Sequence, residues 1–214
     1  MTKVILLSGL CADERLFSKL KLKIENSICI NWIPADKNDT LGTYAEKLLP
    51  QINLKPGEKC ILVGISFGGM IAVELAKRIP AEKIILISSL AEPKDLPLFY
   101  RFGGKLGFQK VLPLHLARKA RFLGDFIFGA NTPEEKQILH SILDKADIAY
   151  ARWAMTQIVN WKQKGRPENM VQIHGTEDVL LPLTPHPDQI TIKGGHLLVL
   201  HNADEVSEIV NRYL

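Results

Sequence analysis

Residues 60–79 join a short apolar run to a helix through a turn of five residues, and few folds accommodate such a junction. Cys60–Val63 is the uninterrupted apolar run of a strand buried on both faces. Gly64-Ile65-Ser66-Phe67-Gly68 follows, and then the helix-period segment Met70–Ile79, which stops at Pro80. Glycines at 64 and 68 lack the Cβ that would hold helix and strand apart, so a strained turn can form and the two elements can pack closely. Ser66 is then held above the end of a sheet, with the N–H groups of the helix start beside it.

The rest of the chain supplies that sheet. Apolar runs at Val4–Leu7, Ile28–Ile33, Ile84–Ile87, Val171–His174 and Gln189–Ile192 alternate with helical patterns at Asp13–Leu20, Thr43–Ile52, Gly69–Arg78 and Ala203–Tyr213. Strand–helix alternation with long crossovers predicts an α/β chain, with a doubly wound parallel sheet of about six strands. The alternation lapses between residues 91 and 167, where the patterns are helical: Asp95–Phe102, Leu114–Phe128, Pro133–Lys145 and Ile148–Trp161. Thr132 as N-cap with Pro133 at the first helical position marks the start of the third of these. An insert of this length is large enough for a cap. Its first part, 91–130, carries seven Lys/Arg against three Asp/Glu, which fits an amphipathic helix packed on the main domain or a cationic, substrate-facing surface.

Composition excludes several classes of function. The 214 residues suffice for one sizeable core, and a net charge of +4 is spread without a basic, aromatic-interleaved stripe, so nucleic acid is not an expected partner. No apolar run is long enough to span a bilayer, and the N-terminus lacks the core of a signal peptide. Three cysteines, at 11, 29 and 60, lack metal-like spacing and predict reduced thiols in a cytoplasmic protein. The sequence leaves the oligomeric state open.

A serine activated for attack needs a base and an acid that orients the base. His174-Gly175-Thr176-Glu177-Asp178 closes one strand and offers two acids. Gly194-Gly195-His196 follows the next strand and offers a base. Ligand sites of open parallel sheets lie at the carboxyl ends of strands, which is where Ser66, both acids and His196 fall. His174 is expected to anchor the acid loop, while His115, His140, His186 and His201 lie on helices or loops too far from a strand end to serve. The loop after the first strand, Ser8-Gly9-Leu10-Cys11-Ala12, is either a plain turn or a second wall of the site. Cys11 either fits that turn as a small residue or lines a substrate pocket.

Together these motifs resemble the α/β-hydrolase fold superfamily, with Gly64–Gly69 as nucleophile elbow, His174–Asp178 as acid loop and Gly194–His196 as histidine loop. The resemblance implies a core of residues 1–90 and 168–214 with 91–167 as helical cap. It also implies a triad of Ser66, Asp178 and His196, and an oxyanion hole from the backbone N–H groups of Leu10 and Phe67. The implied activity is a serine hydrolase acting on a small or medium carboxylic ester or thioester, with no metal and no organic cofactor. Relatives turn the same triad to C–C bond hydrolysis, acyl transfer or lyase chemistry, and a weakly catalytic small-molecule receptor is a further reading. Two features depart from the family pattern. Ser8-Gly9 stands where His-Gly is frequent, and the chain opens on the strand that normally follows an N-terminal hairpin.

Overall fold

A computed structural model describes residues 2–108, 120–187 and 189–214. Six strands, β1 (Lys3–Leu7), β2 (Ser27–Cys29), β3 (Cys60–Ile65), β4 (Ala81–Ile87), β5 (Met170–Gly175) and β6 (Gln189–Ile192), form one sheet in the order β2-β1-β3-β4-β5-β6. Every neighbouring pair is parallel. The chain steps outward from β1 to β2, then returns across β1 to β3 and continues to β6. The reversal puts a crevice at the carboxyl ends of β1 and β3, where a sheet of this kind binds its ligands.

Alternation along the strands explains why both faces are covered. Ile5, Leu7, Leu62, Ile84 and Leu86 face a core built with helices α1 (Leu41–Leu48) and α2 (Phe67–Leu75). Val4, Val63, Ile65, Ile85 and Ile87 face the other way, onto Leu16, Phe17, the short α7 (Leu198–His201) and α8 (Ala203–Asn211). All six residues of β3 are buried, and each large side chain among them contributes roughly 1.5–3 kcal/mol.

Between β4 and β5 run α3 (Leu98–Lys105), α4 (Arg121–Phe128), α5 (Pro133–Lys145) and α6 (Ile148–Val159). This segment reaches both sides of the sheet. Leu139 and Ile142 of α5 join the core around α7 and α8, whereas Tyr150 and Ala154 of α6 join the core around α1 and α2. The start of α5 is as expected: Thr132 Oγ1 accepts from the Glu135 N–H while the Glu135 carboxylate takes the Thr132 N–H.

Several elements are shorter than the sequence pattern predicts. The expected strand Ile28–Ile33 stops at Cys29, since the Asn31 N–H goes to the Gln51 side chain and the Ile33 N–H to the Tyr44 hydroxyl. The expected helix Asp13–Leu20 is a single 3-10 turn, Glu14–Phe17. Beyond it the Lys21 and Lys23 N–H groups bond Ser207 and Asn211 of α8, so the chain lies extended along that helix. Pro97 divides the expected helix Asp95–Phe102 into a 3-10 turn at Pro93–Asp95 and α3, because proline cannot donate within a helix. Of the expected helix Leu114–Phe128, the part from Arg121 is α4, and residues 114–119 lie outside the described residues.

Candidate active site

The turn after β3 forms as its glycines require. A Cβ on Gly68 would overlap the carbonyl oxygens of Leu7 and Ser8, and one on Gly64 would overlap the backbone of Gly69. These contacts draw α2 onto β3 and β1. They leave Ser66 at φ 52°, ψ −120°, outside the usual regions for an L-residue, at a cost of about 1–3 kcal/mol. Neighbours hold it there: the Ser66 N–H donates to Ile87 O at 2.9 Å, and its carbonyl accepts from the Ser89 hydroxyl at 2.5 Å and from the Gly69 N–H at 3.0 Å.

Loops from three strand ends converge on this serine. His196 Nε2 lies 2.9 Å from Ser66 Oγ, and His196 Nδ1 lies 2.8 Å from Asp178 Oδ2. Asp178 and His196 are both buried. Burial by itself would raise the pKa of Asp178, but hydrogen bonds from His174 and His196, the charge of His196 and the Leu181 N–H outweigh it and hold the carboxyl well below the usual range. An ionised Asp178 only accepts, so His196 carries its proton on Nδ1 and turns the Nε2 lone pair toward the Ser66 hydroxyl. Glu177, the other acid of the loop, is exposed.

The acid loop is braced from below. His174 Nε2 donates to Leu181 O at 2.8 Å and lies 3.4 Å from Asp178 Oδ2, and the Leu181 N–H donates to Asp178 Oδ1 at 2.8 Å. His140 is paired with Asp125 at 2.7 Å and His201 with Glu135 at 3.3 Å, both away from Ser66, while His115 lies outside the described residues. Among the described residues, no group of three or more His, Cys, Asp or Glu side chains is placed to hold a metal ion. No helix among them is long and apolar enough to cross a membrane.

The start of α2 and the loop after β1 border the serine. Phe67 is the first residue of α2, so its N–H belongs to the unpaired donors of a helix start. Gly9 lies beside the serine, since a Cβ built there would stand 3.9 Å from Ser66 Cβ, and the Leu10 N–H follows in the same loop. Cys11 adopts φ 57°, and its Sγ lies 3.8 Å from Asp147 O at the start of α6. The Phe128 ring, at the end of α4, lies 5.8 Å from the His196 ring, and the Leu197 N–H donates to Phe128 O.

A sequence profile of the Alpha/beta hydrolase family matches residues 31–209, most of the chain. The chain belongs to that family. Solved structures of similar fold include a thermophilic esterase from Thermogutta terrifontis with malate bound (17% identity, TM-score 0.70, covering 100% of this chain and 89% of that one). Others are the esterase EaEST from Exiguobacterium antarcticum (17%, 0.69, 100% and 91%) and Est816, described as an N-acyl homoserine lactone degrading enzyme (13%, 0.70, 100% and 93%). A comparison with curated proteins gave no match.

In this alpha/beta hydrolase Ser8 occupies the place of the frequent histidine, and its buried hydroxyl donates to Ala12 O at 2.8 Å, closing the loop on itself. Sequence patterns missed the residues that brace the site from a distance. Ser89 pins the elbow carbonyl, Gln172 Nε2 donates to Ser89 O at 2.7 Å, and Arg166 joins Gln172 to the buried Asp95. One signal was present, a glutamine within the apolar strand β5. Trp32, beyond β2, donates its indole N–H to Gly9 O at 3.0 Å, and no motif marks it.

Proposed function

We propose that this alpha/beta hydrolase is a serine hydrolase that cleaves a small or medium carboxylic ester or thioester through an acyl-enzyme on Ser66. The supporting observation is the continuous relay of Ser66 Oγ, His196 Nε2, His196 Nδ1 and Asp178 Oδ2 at 2.9 and 2.8 Å, at the strand ends of a switch-point crevice. His196 takes the Ser66 proton as Oγ attacks the carbonyl carbon, then returns it to the departing alcohol or thiol. Asp178 keeps Nδ1 protonated and stabilises the imidazolium. The N–H groups of Leu10 and Phe67 receive the charge that develops on the carbonyl oxygen. Water, deprotonated by the same histidine, then releases the acid and restores the serine.

In this reading residues 91–167 are the cap and shape the acyl pocket. The approach of Phe128 to His196, of Asp147 to Cys11 and of the Tyr150 ring to the Phe67 ring (6.3 Å) supports that role. The test is turnover of p-nitrophenyl esters and acyl-CoA thioesters of graded chain length by the wild type and by Ser66→Ala. Hydrolysis of at least one series, lost in the variant, is expected. Turnover that survives in Ser66→Ala refutes the mechanism.

A further inference from the structure

We infer that Trp32 is a positioning residue for the oxyanion hole, acting through the Gly9–Leu10 peptide; the inference rests on the acyl-enzyme reading above. The indole Nε1–H of Trp32 donates to Gly9 O at 3.0 Å, and the Ala12 N–H donates to the same oxygen at 3.0 Å. That carbonyl shares its peptide unit with the Leu10 N–H. In a planar trans peptide C=O and N–H point in opposite directions, so two donors on one side fix the direction of the N–H on the other. They also polarise the amide. Charge drawn onto Gly9 O by two hydrogen bonds makes the Leu10 N–H a stronger donor, an effect of about 10–30% per bond.

The placement of Trp32 is over-determined, as a positioning role requires. Its ring lies edge-on to Phe67 at 5.4 Å between centroids, so one side chain touches Phe67 and the peptide unit that carries the Leu10 N–H. The next residue is clamped by the Tyr44 hydroxyl, which donates to Ile33 O at 2.8 Å and accepts from the Ile33 N–H at 3.1 Å. Tyr44 in turn accepts from the Tyr150 hydroxyl of α6 at 3.0 Å. A chain of contacts thus runs from the 91–167 segment, through Tyr150, Tyr44 and Ile33, to Trp32 and the Leu10 amide. Ser8 also closes the loop, but its hydroxyl bonds Ala12 O and leaves the Gly9 carbonyl to Trp32 and the Ala12 N–H.

The test separates the indole N–H from the indole ring. Trp32→Phe keeps an aromatic ring and removes the donor. Replacement of Trp32 by 3-benzothienylalanine keeps the bicyclic shape and removes only the N–H. Loss of a whole oxyanion donor costs about 10²–10³ in kcat. Loosening and depolarising one donor should cost roughly tenfold in kcat. KM for p-nitrophenyl acetate should stay within about twofold of wild type, and the Ki of an aryl boronic acid, which forms a tetrahedral adduct on Ser66, should rise in step with the loss of kcat/KM. A kcat within about twofold of wild type for a folded benzothienylalanine protein overturns the inference, as does a rise in KM at constant kcat, which would make Trp32 a wall of the binding pocket. Ser66→Ala is assayed in parallel. Activity remaining there defeats the acyl-enzyme reading itself, whereas a dead Ser66→Ala beside an unaffected Trp32 variant defeats only the role of Trp32.

Discussion

Asp178→Asn isolates the part of the relay that carries charge. In the wild type the carboxylate takes three approaches, from His196 Nδ1 at 2.8 Å, from the Leu181 N–H at 2.8 Å and from His174 Nε2 at 3.4 Å. An asparagine can keep the Leu181 bond through its oxygen, which leaves its NH₂ facing His196. Nδ1 must then accept, the proton moves to Nε2, and the ring presents a donor to Ser66 where a base is needed. We expect kcat to fall by about four orders of magnitude, equivalent to about 5 kcal/mol of activation free energy. KM should change little, and Glu177→Gln, altering an exposed side chain, should be mild. Stability gives an independent reading. The folded carboxyl titrates below its ordinary value of 3.8, so its stabilising contribution is complete above about pH 4 and is lost as the pH falls toward the folded pKa. The stability gap between wild type and Asp178→Asn should therefore narrow below about pH 4 in urea titrations. Stopped-flow or plate-reader hydrolysis of p-nitrophenyl acetate measures the rate effect. A loss of less than tenfold, or a larger loss in Glu177→Gln, would refute the assignment of Asp178.

Thiol chemistry and steric fit give two further predictions. Burial pushes the Cys29 and Cys60 thiols up to about 11, so N-ethylmaleimide at neutral pH should modify Cys11 first; this should slow hydrolysis, and Cys11→Ser should abolish the inhibition. Full activity after complete alkylation of Cys11 would place that side chain outside the substrate path. Gly68→Ala puts a methyl group into the carbonyl oxygens of Leu7 and Ser8, and the forced shift of α2 should cost about 1–3 kcal/mol in chemical denaturation. An unchanged denaturation midpoint would show that α2 can retreat from β1 without strain.

What was legible in the sequence follows a physical pattern. Short-range signals read well. The apolar run of β3, the helix start at Thr132 and Pro133, and the glycines at 64 and 68 each state a local requirement that the fold meets where expected. The three loops that converge on Ser66 could be named because each closes a parallel strand, and a parallel sheet puts those ends on one edge. Long-range competition for backbone donors could not be read. β2 ends at Cys29 because Gln51 and Tyr44, from α1 and the turn after it, take the donors that a longer strand would use. Trp32 escaped notice for the same reason, since its partner Gly9 lies in the loop after a different strand. The insertion likewise reads as helices, but only packing places α5 on one face of the sheet and α6 on the other.

Labelling with a fluorophosphonate probe tests the central claim most directly, because the probe reacts with a serine only where a base removes its proton and donors receive the charge on the phosphoryl oxygen. Intact-mass and peptide mass spectrometry should find one adduct per chain, on Ser66, accumulating in step with loss of ester hydrolysis and absent from Ser66→Ala and His196→Ala. A protein that resists the probe while hydrolysing esters, or that keeps its activity when Ser66 is fully labelled, would contradict the account.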